Sequence, residues 1–89
     1  MSEAVLVGEK PASSYVLELM ERFRKGEKRV LVRALGHNIS KAAYVTESVK
    51  RLTGGKIRYG RISIYSEEVD REAEEKSVPA IEIEVFFEG

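Results

Sequence analysis

Val30–Ala43 reads VLVRALGHNISKAA, and this stretch decides the fold because an apolar strand in it ends at a glycine and leads directly into a helix. The apolar start predicts a central strand that is covered on at least part of both faces. The polar residues after the glycine predict a helix with Asn38 as its N-cap. Because the first N–H groups of a helix lack intrahelical partners and lie in positive potential, Gly36 to Lys41 is a candidate phosphate site. The ligand this favours is a nucleic-acid backbone.

The chain before this stretch predicts another strand and helix. Residues 4–7 form a short apolar run, and Gly8 and Pro11 mark the turn that follows it. Apolar residues then recur at helical spacing, which predicts an amphipathic helix over about residues 11–25. This apolar stripe comprises Ala12, Tyr15, Val16, Leu19, Met20 and Phe23. The spacing assigns Tyr15 to the core rather than to a ligand contact.

The chain after the quoted stretch predicts the rest of the second helix and two further strands. The apolar stripe of the helix comprises Ala42, Val45, Val49 and Leu52. The glycines at 54–55 end this helix. Residues 56–66 alternate in polarity, but the phase changes at Gly60, which predicts a bulge or a kink there. Residues 79–88 alternate throughout, which predicts a half-buried strand.

Together these elements predict a two-layer α+β fold. Their order is β-α-β-α-β-β, with two helices packed on one face of a four-stranded mixed sheet. With 89 residues, of which 43% are hydrophobic, the chain has the size of one domain, covering residues 1–89. Residues 67–77 interrupt the pattern because almost all of them are charged, and they predict a charged hairpin arm or loop between the last two strands.

The formal net charge is zero, but the charges are distributed unevenly along the chain. Residues 1–65 carry 13 Lys and Arg against 6 Asp and Glu, whereas residues 66–89 carry 2 against 9. If the fold separates these two parts in space, the chain presents a basic surface that suits nucleic acid. The alternative interpretation is that the charges only solvate the surface.

The composition leaves several function classes without support. The chain has no cysteine and one histidine, so disulfides, thiolate metal sites and histidine clusters are excluded, and no cofactor is predicted. A metal site of carboxylates alone has no support either. His37 lies in the turn but lacks an identifiable partner for catalysis, so an enzyme is not expected. Because no membrane span or signal peptide is evident, the sequence predicts a cytoplasmic protein.

Lys10 and Lys41 are the leading binding candidates because each lies at the start of a predicted helix that follows a strand. Parallel strands would bring both helix starts to one end of the sheet, where the two lysines would form a phosphate clamp. The alternative is that each is only a solvated residue near a helix cap. Lower-ranked candidates are Arg33, Arg58 and Arg61 on the strands and His37, Asn38 and Ser40 in the turn. A strand arginine can instead pair with Glu82 or Glu84 across the sheet.

The other polar and aromatic candidates have simpler explanations than base recognition. Asn38 is better explained as a helix cap than as a base reader. We expect His37 and Ser40 to make polar contacts to phosphate, sugar or solvent. Phe86 lies among the glutamates of the last strand, which favours an interface or core-edge residue over a base-stacking platform.

Two short motifs give the chain a family resemblance. Gly36–Ala42, GHNISKA, resembles the turn and helix start of the Alba family of archaeal chromatin proteins, and Val7–Pro11, VGEKP, resembles that family's first strand-to-helix signature. The resemblance implies a homodimer or heterodimer that binds double-stranded DNA, and in some members RNA, largely without sequence preference. It also implies that Lys10 and Lys41 contact phosphates and that hairpin arms extend along the minor groove.

Several positions depart from this family pattern, and all of them make the chain less basic. Glu9 stands where the family's common Gly-Lys-Lys-Pro pattern has its first lysine, and Leu35 and His37 stand where arginines are frequent. The arm carries six acidic residues against Arg71 and Lys76, so phosphates would repel it. We therefore expect weak DNA binding by the chain alone. The resulting hypothesis is a chromosome-associated paralogue that forms a heterodimer with a more basic member and tunes how that member packs on DNA.

Two other functions remain as alternatives. One is an RNA-binding accessory subunit of a ribonucleoprotein, in which the acidic arm contacts a protein partner. The other is a protein-interaction module without nucleic-acid affinity. Tighter binding to structured RNA than to duplex DNA at equal salt would favour the first, and insensitivity to charge reversal at Lys10 and Lys41 would favour the second.

Overall fold

The computed structural model describes residues 3–71 and 74–89. The elements are β1 (Val5–Val7), α1 (Ala12–Arg24), β2 (Arg29–Leu35), a 3₁₀ turn (Gly36–Asn38), α2 (Ile39–Leu52), β3 (Ile57–Arg71) and β4 (Glu74–Phe87). The predicted α+β class and the element order are confirmed.

The four strands form one mixed sheet in the order β1-β2-β4-β3. β1 pairs with β2 in parallel, and β4 pairs with β2 and β3 in antiparallel fashion. β2 is therefore central, as its apolar character predicts. The buried core comprises Val5, Val7, Tyr15, Val16, Leu19, Phe23, Val30, Val32, Ala34, Ala42, Val45, Val49, Ile57, Ile81, Ile83 and Val85. These residues come from both helices and from one side chain in two along the strands, so the helices cover one face of the sheet and leave the other uncovered.

The predicted irregularity at Gly60 is a β-bulge. Tyr59 pairs with Val85, and the next pair is Ile62 with Ile83, so two residues of β3 lie opposite one residue of β4. The extra residue returns the isoleucines of β3 to the helix side of the sheet, which explains the change of phase in the sequence.

The last two strands are longer than their hydrophobic pattern predicts. The sequence pattern ends the third strand at Ser66 and begins the fourth at Pro79, whereas the pairing continues as far as Arg71 with Glu74. Ladder hydrogen bonds join backbone groups and do not require apolar side chains, so a charged segment can extend a hairpin beyond the core. The part of the predicted arm at residues 72–73 lies outside the described residues.

Two details of the second helix differ from the prediction. Asn38 has φ −85° and ψ −1° and makes no side-chain capping hydrogen bond. It belongs to the 3₁₀ turn and therefore lacks the extended backbone conformation that an N-cap requires. Leu52 lies on the predicted apolar stripe but is 62% exposed. It lines a groove between the helices, together with Leu17 and Tyr44, instead of packing on the sheet.

Tyr59 links β3 to α2. Its hydroxyl donates to Oε2 of Glu47 at 2.5 Å and lies 3.0 Å from Oγ1 of Thr46. Partial burial, and then the hydrogen bond to Glu47, raise the pKa of Tyr59 to about 12. This contact fixes the edge strand to the helix layer beside the bulge.

We expect Tyr59→Phe to lower the free energy of unfolding by about 1 kcal/mol, because it removes one hydrogen bond to a charged group that is partly solvated. Denaturant titration near pH 7 measures the change. Tyr65→Phe is the matched control, since the Tyr65 hydroxyl makes no hydrogen bond within the described residues. Equal losses in both variants would contradict the assignment.

Comparison of the wild type with Tyr59→Phe over a pH series tests the pKa of Tyr59. Below pH 10, its ordinary value, the folded and unfolded chains both hold the proton, so the advantage of the wild type over Tyr59→Phe is constant. Between pH 10 and about 12 the unfolded chain loses the proton while the folded chain keeps it, so the advantage shrinks. A difference that stays constant to pH 12 would contradict the raised pKa.

Candidate functional site

The two strand-to-helix junctions lie together at one end of the sheet, because β1 and β2 are parallel. Lys41, in the first turn of α2, joins them directly. Its Nζ donates to the carbonyl oxygen of Gly8 at 2.7 Å and to that of Lys10 at 2.8 Å. The ammonium group of α2 is therefore held against the loop that begins α1.

Tyr15 forms the floor of this junction. Nζ of Lys10 lies 5.4 Å from the centroid of its ring, and Nζ of Lys41 lies 6.0 Å from it, so both ammonium groups are at cation–π distances. The Tyr15 hydroxyl accepts a hydrogen bond from the backbone N–H of Lys10 at 3.1 Å. The ring is buried, at 3% exposure, as the helical spacing predicts. Core packing of one tyrosine thus brings two cations together.

A carboxylate lies beside the two lysines. Oε2 of Glu9 accepts from Nδ2 of Asn38 at 3.1 Å and lies 3.1 Å from Nε2 of His37. The hydrogen bond from Asn38, the charge of His37 and the nearby Lys41 hold the pKa of the Glu9 carboxyl below its usual range. Glu9 is therefore an anion at neutral pH, and the chain itself places a negative charge next to the start of α2.

The polar residues of the turn have different environments. Asn38 is buried, and its Oδ1 has no hydrogen-bond partner within the described residues, while its Nδ2 binds Glu9. His37 is exposed and extends toward the same carboxylate. Ser40 is exposed at the start of α2. The turn therefore offers His37 and Ser40 to a ligand from solvent, while Asn38 holds the two loops together.

The strand arginines lie elsewhere, on the uncovered face of the sheet. Arg33 donates to Oε2 of Glu82 from Nε at 3.1 Å and from Nη2 at 2.5 Å, and this contact raises the pKa of Arg33. Nε of Arg58 donates to Glu88 at 2.7 Å. The structure therefore does not bring these arginines to the lysine site, and the alternative of cross-sheet pairing holds for Arg33.

Sequence reasoning missed the contacts of Glu9, and it offered the neutralisation of the strand arginines only as an alternative to phosphate binding. The uneven charge along the chain suggested two separate regions in space, but β4 lies between β2 and β3. Its glutamates therefore face arginines from both neighbours, including Arg29, whose Nε lies 2.5 Å from Oε2 of Glu84. Which cations stay free depends on the register of the strand pairing. A count of charges along the chain gives no information about that register.

Other site chemistries find no support in the part of the chain that the structure describes. Its histidine, aspartate and glutamate side chains form no group of three that could hold a metal ion. None of its helices is long and apolar enough to cross a membrane. What the junction offers is two ammonium groups, a helix start and exposed polar side chains, an arrangement that can bind an anion.

Comparison with known proteins gives one consistent family. A family model described as Alba matches residues 3–66. The chain is 39% identical over 84 residues to the DNA/RNA-binding protein Alba of Nanoarchaeum equitans, an alignment that covers 91% of the chain and 93% of the relative. It is 36% identical over 80 residues to the DNA/RNA-binding protein Alba 1 of Archaeoglobus fulgidus, with 90% of each covered. The structure of Alba from Thermoplasma volcanium superposes with a TM-score of 0.89 at 28% identity, covering 94% of this chain and 99% of that one.

Proposed function

The chain belongs to the Alba family, and from this premise we propose that it is a chromatin protein that binds double-stranded DNA without sequence preference through the Lys10–Lys41 junction. The observation that carries the proposal is the placement of two ammonium groups over one buried tyrosine ring. Relatives named as DNA/RNA-binding proteins support both nucleic acids as ligands.

The junction suits phosphate for physical reasons. Lys41 uses two of its three N–H groups on main-chain carbonyls, which leaves one for a ligand. The side chain of Lys10 is exposed and makes no hydrogen bond or ion pair within the described residues. Contacts of this kind go to the backbone and carry no sequence information, so they predict nonspecific binding.

A dimer is the second part of the proposal. Ile62 and Ile64 on the edge strand β3 are 51% and 74% exposed, although they pair with the buried Ile83 and Ile81 on the helix side of the sheet. Apolar side chains at a sheet edge, beyond the cover of the helices, suit a partner subunit. A second Alba-family chain would cover them, and the resulting homodimer or heterodimer would organise DNA by presenting two lysine junctions.

We expect Lys10→Gln/Lys41→Gln to weaken binding to duplex DNA and to reduce the slope of log K against log salt by about 1.8, since each lost phosphate contact contributes about 0.9. A fluorescence anisotropy titration over a salt series measures both quantities. The glutamine amide keeps two N–H donors for the carbonyls. Lys10→Gln alone tests the exposed lysine without removing the contacts of Lys41.

Lys25→Gln/Lys56→Gln is the matched control, because these exposed lysines follow α1 and precede β3 at the other end of the sheet. The proposal fails if both double variants lower the slope equally, or if the wild type binds no duplex at low salt. The same series with structured RNA tests the ribonucleoprotein alternative, which requires RNA to bind more tightly than DNA at equal salt.

Glu9→Gln should act in the opposite direction. Its amide oxygen can still accept the hydrogen bond from Asn38, but the negative charge beside the lysines disappears. At low ionic strength we expect duplex affinity to rise about two- to fivefold, and the gain to fade with added salt because the charge is exposed and screened. Glu3→Gln, on an exposed carboxylate before β1, is the control. Unchanged affinity in Glu9→Gln would contradict a competing role for this carboxylate.

The acidic arm favours a basic partner over a second copy. Residues 67–77 carry six acidic and two basic side chains, so two identical arms repel each other and DNA. A more basic Alba-family subunit would supply the missing phosphate contacts, and this chain would tune its packing on DNA. Native mass spectrometry of the mixture should give heterodimers in excess of the statistical fraction, most strongly at low salt. Separate homodimers only would overturn this part of the proposal.

A further inference from the structure

The uncovered face of the sheet contains a hollow at the β-bulge. Its volume is about 290 Å³, and it is lined by Arg29, Leu31, Arg61, Glu82 and Glu84. The bulge creates it, because Gly60 contributes no side chain and the next residue of β3 contributes a long cation. The backbone N–H of Arg61 donates to Oε1 of Glu84 at 2.9 Å, which fixes the floor.

An aromatic ring lies beside Gly60 on the same face. Phe86 lies so close to Gly60 that a Cβ on that glycine would be 2.6 Å from its Cε2 and 2.3 Å from Oε1 of Glu84. The guanidinium carbon of Arg58 lies 4.6 Å from the centroid of the Phe86 ring. Ring and guanidinium therefore form a stack on the sheet surface, and the glycine is what allows it. The sequence pattern showed Phe86 among glutamates and did not reveal its cationic neighbours across the sheet.

The charges of this face do not repel an anion. Each of Glu82, Glu84 and Glu88 is paired with an arginine, namely Arg33, Arg29 and Arg58. Arg61 makes no ion pair among the residues that the structure describes. Of these four arginines, Arg61 is the one without an ion pair in the described part of the chain, and it lines the hollow.

We propose that this face binds an unpaired nucleotide of single-stranded RNA or DNA. The base stacks on the Arg58–Phe86 pair, and Arg61 contacts the adjoining phosphate. Stacking on aromatic and arginine planes is how proteins hold unpaired bases without reading sequence, and it does not need a strongly basic surface. The site extends the proposed function and does not depend on the lysine junction, from which it is separated by the sheet.

The test compares labelled oligouridylate, oligothymidylate and a blunt DNA duplex. Phe86→Leu should weaken binding of both single strands about five- to 150-fold, the range that corresponds to the loss of one stacked base. Arg61→Gln should reduce the salt slope for single strands by about 0.7, the value for one phosphate contact. Neither change should alter duplex binding. Arg51→Gln, an exposed arginine on α2, is the control.

The outcomes separate this site from the duplex site. Single-strand affinity that is unchanged in Phe86→Leu and Arg61→Gln overturns the inference, as does capture of a protein by this face with no effect on oligonucleotides. Single-strand binding without duplex binding supports it while the proposed function fails. Gly60→Ala is a second variant, since its methyl group displaces the Phe86 ring; it should lose single-strand affinity together with the ring-current shifts of the Arg58 side-chain protons in NMR spectra.

Discussion

The candidate site depends on one interaction, the pair of hydrogen bonds from Lys41 Nζ to the carbonyl oxygens of Gly8 and Lys10. Parallel pairing of β1 and β2 places two loops side by side but does not by itself fix their separation. A charged donor bound to two carbonyls does, and the Tyr15 ring beneath sets the depth of both ammonium groups. The arrangement of the two ammonium groups is therefore fixed within the chain itself, and a fixed arrangement loses less entropy when a ligand binds.

The position of β4 explains how a chain with zero net charge keeps a basic site. The glutamates of β4 neutralise arginines on both neighbouring strands. They do not reach Lys10 and Lys41, because the β4 residue opposite the end of β2 is Ala80, which carries no charge. The carboxylate beside the lysines is that of Glu9, which comes from the loop itself and lies next to His37. The potential at the candidate site thus depends on a few local charges rather than on the net charge, since electrostatic interactions have a short range at physiological salt.

Much of the fold could be predicted from the spacing of hydrophobic residues in the sequence. The features that could not be predicted depend on backbone geometry or on strand register. The phase change at Gly60 predicted the bulge, and the strand-glycine-helix pattern at 30–43 predicted the junction. The failure of Asn38 as a cap could not be predicted, because capping depends on dihedral angles that a 3₁₀ turn changes. The partners of Arg33 and Phe86 required the pairing of β4, which alternation alone leaves free to slip.

The same bulge that returns Ile62 to the helix side of the sheet also shapes the opposite face. Returning Ile62 to the helix side places Gly60 and Arg61 together against a single residue of β4. Position 60 must be a glycine, because a Cβ there would meet the Phe86 ring and the Glu84 carboxylate. The exposed isoleucine edge and the position of Arg61 on the opposite face are therefore two consequences of one inserted residue. Selection for either would preserve both, since deleting the extra residue turns every following side chain of β3 to the other face.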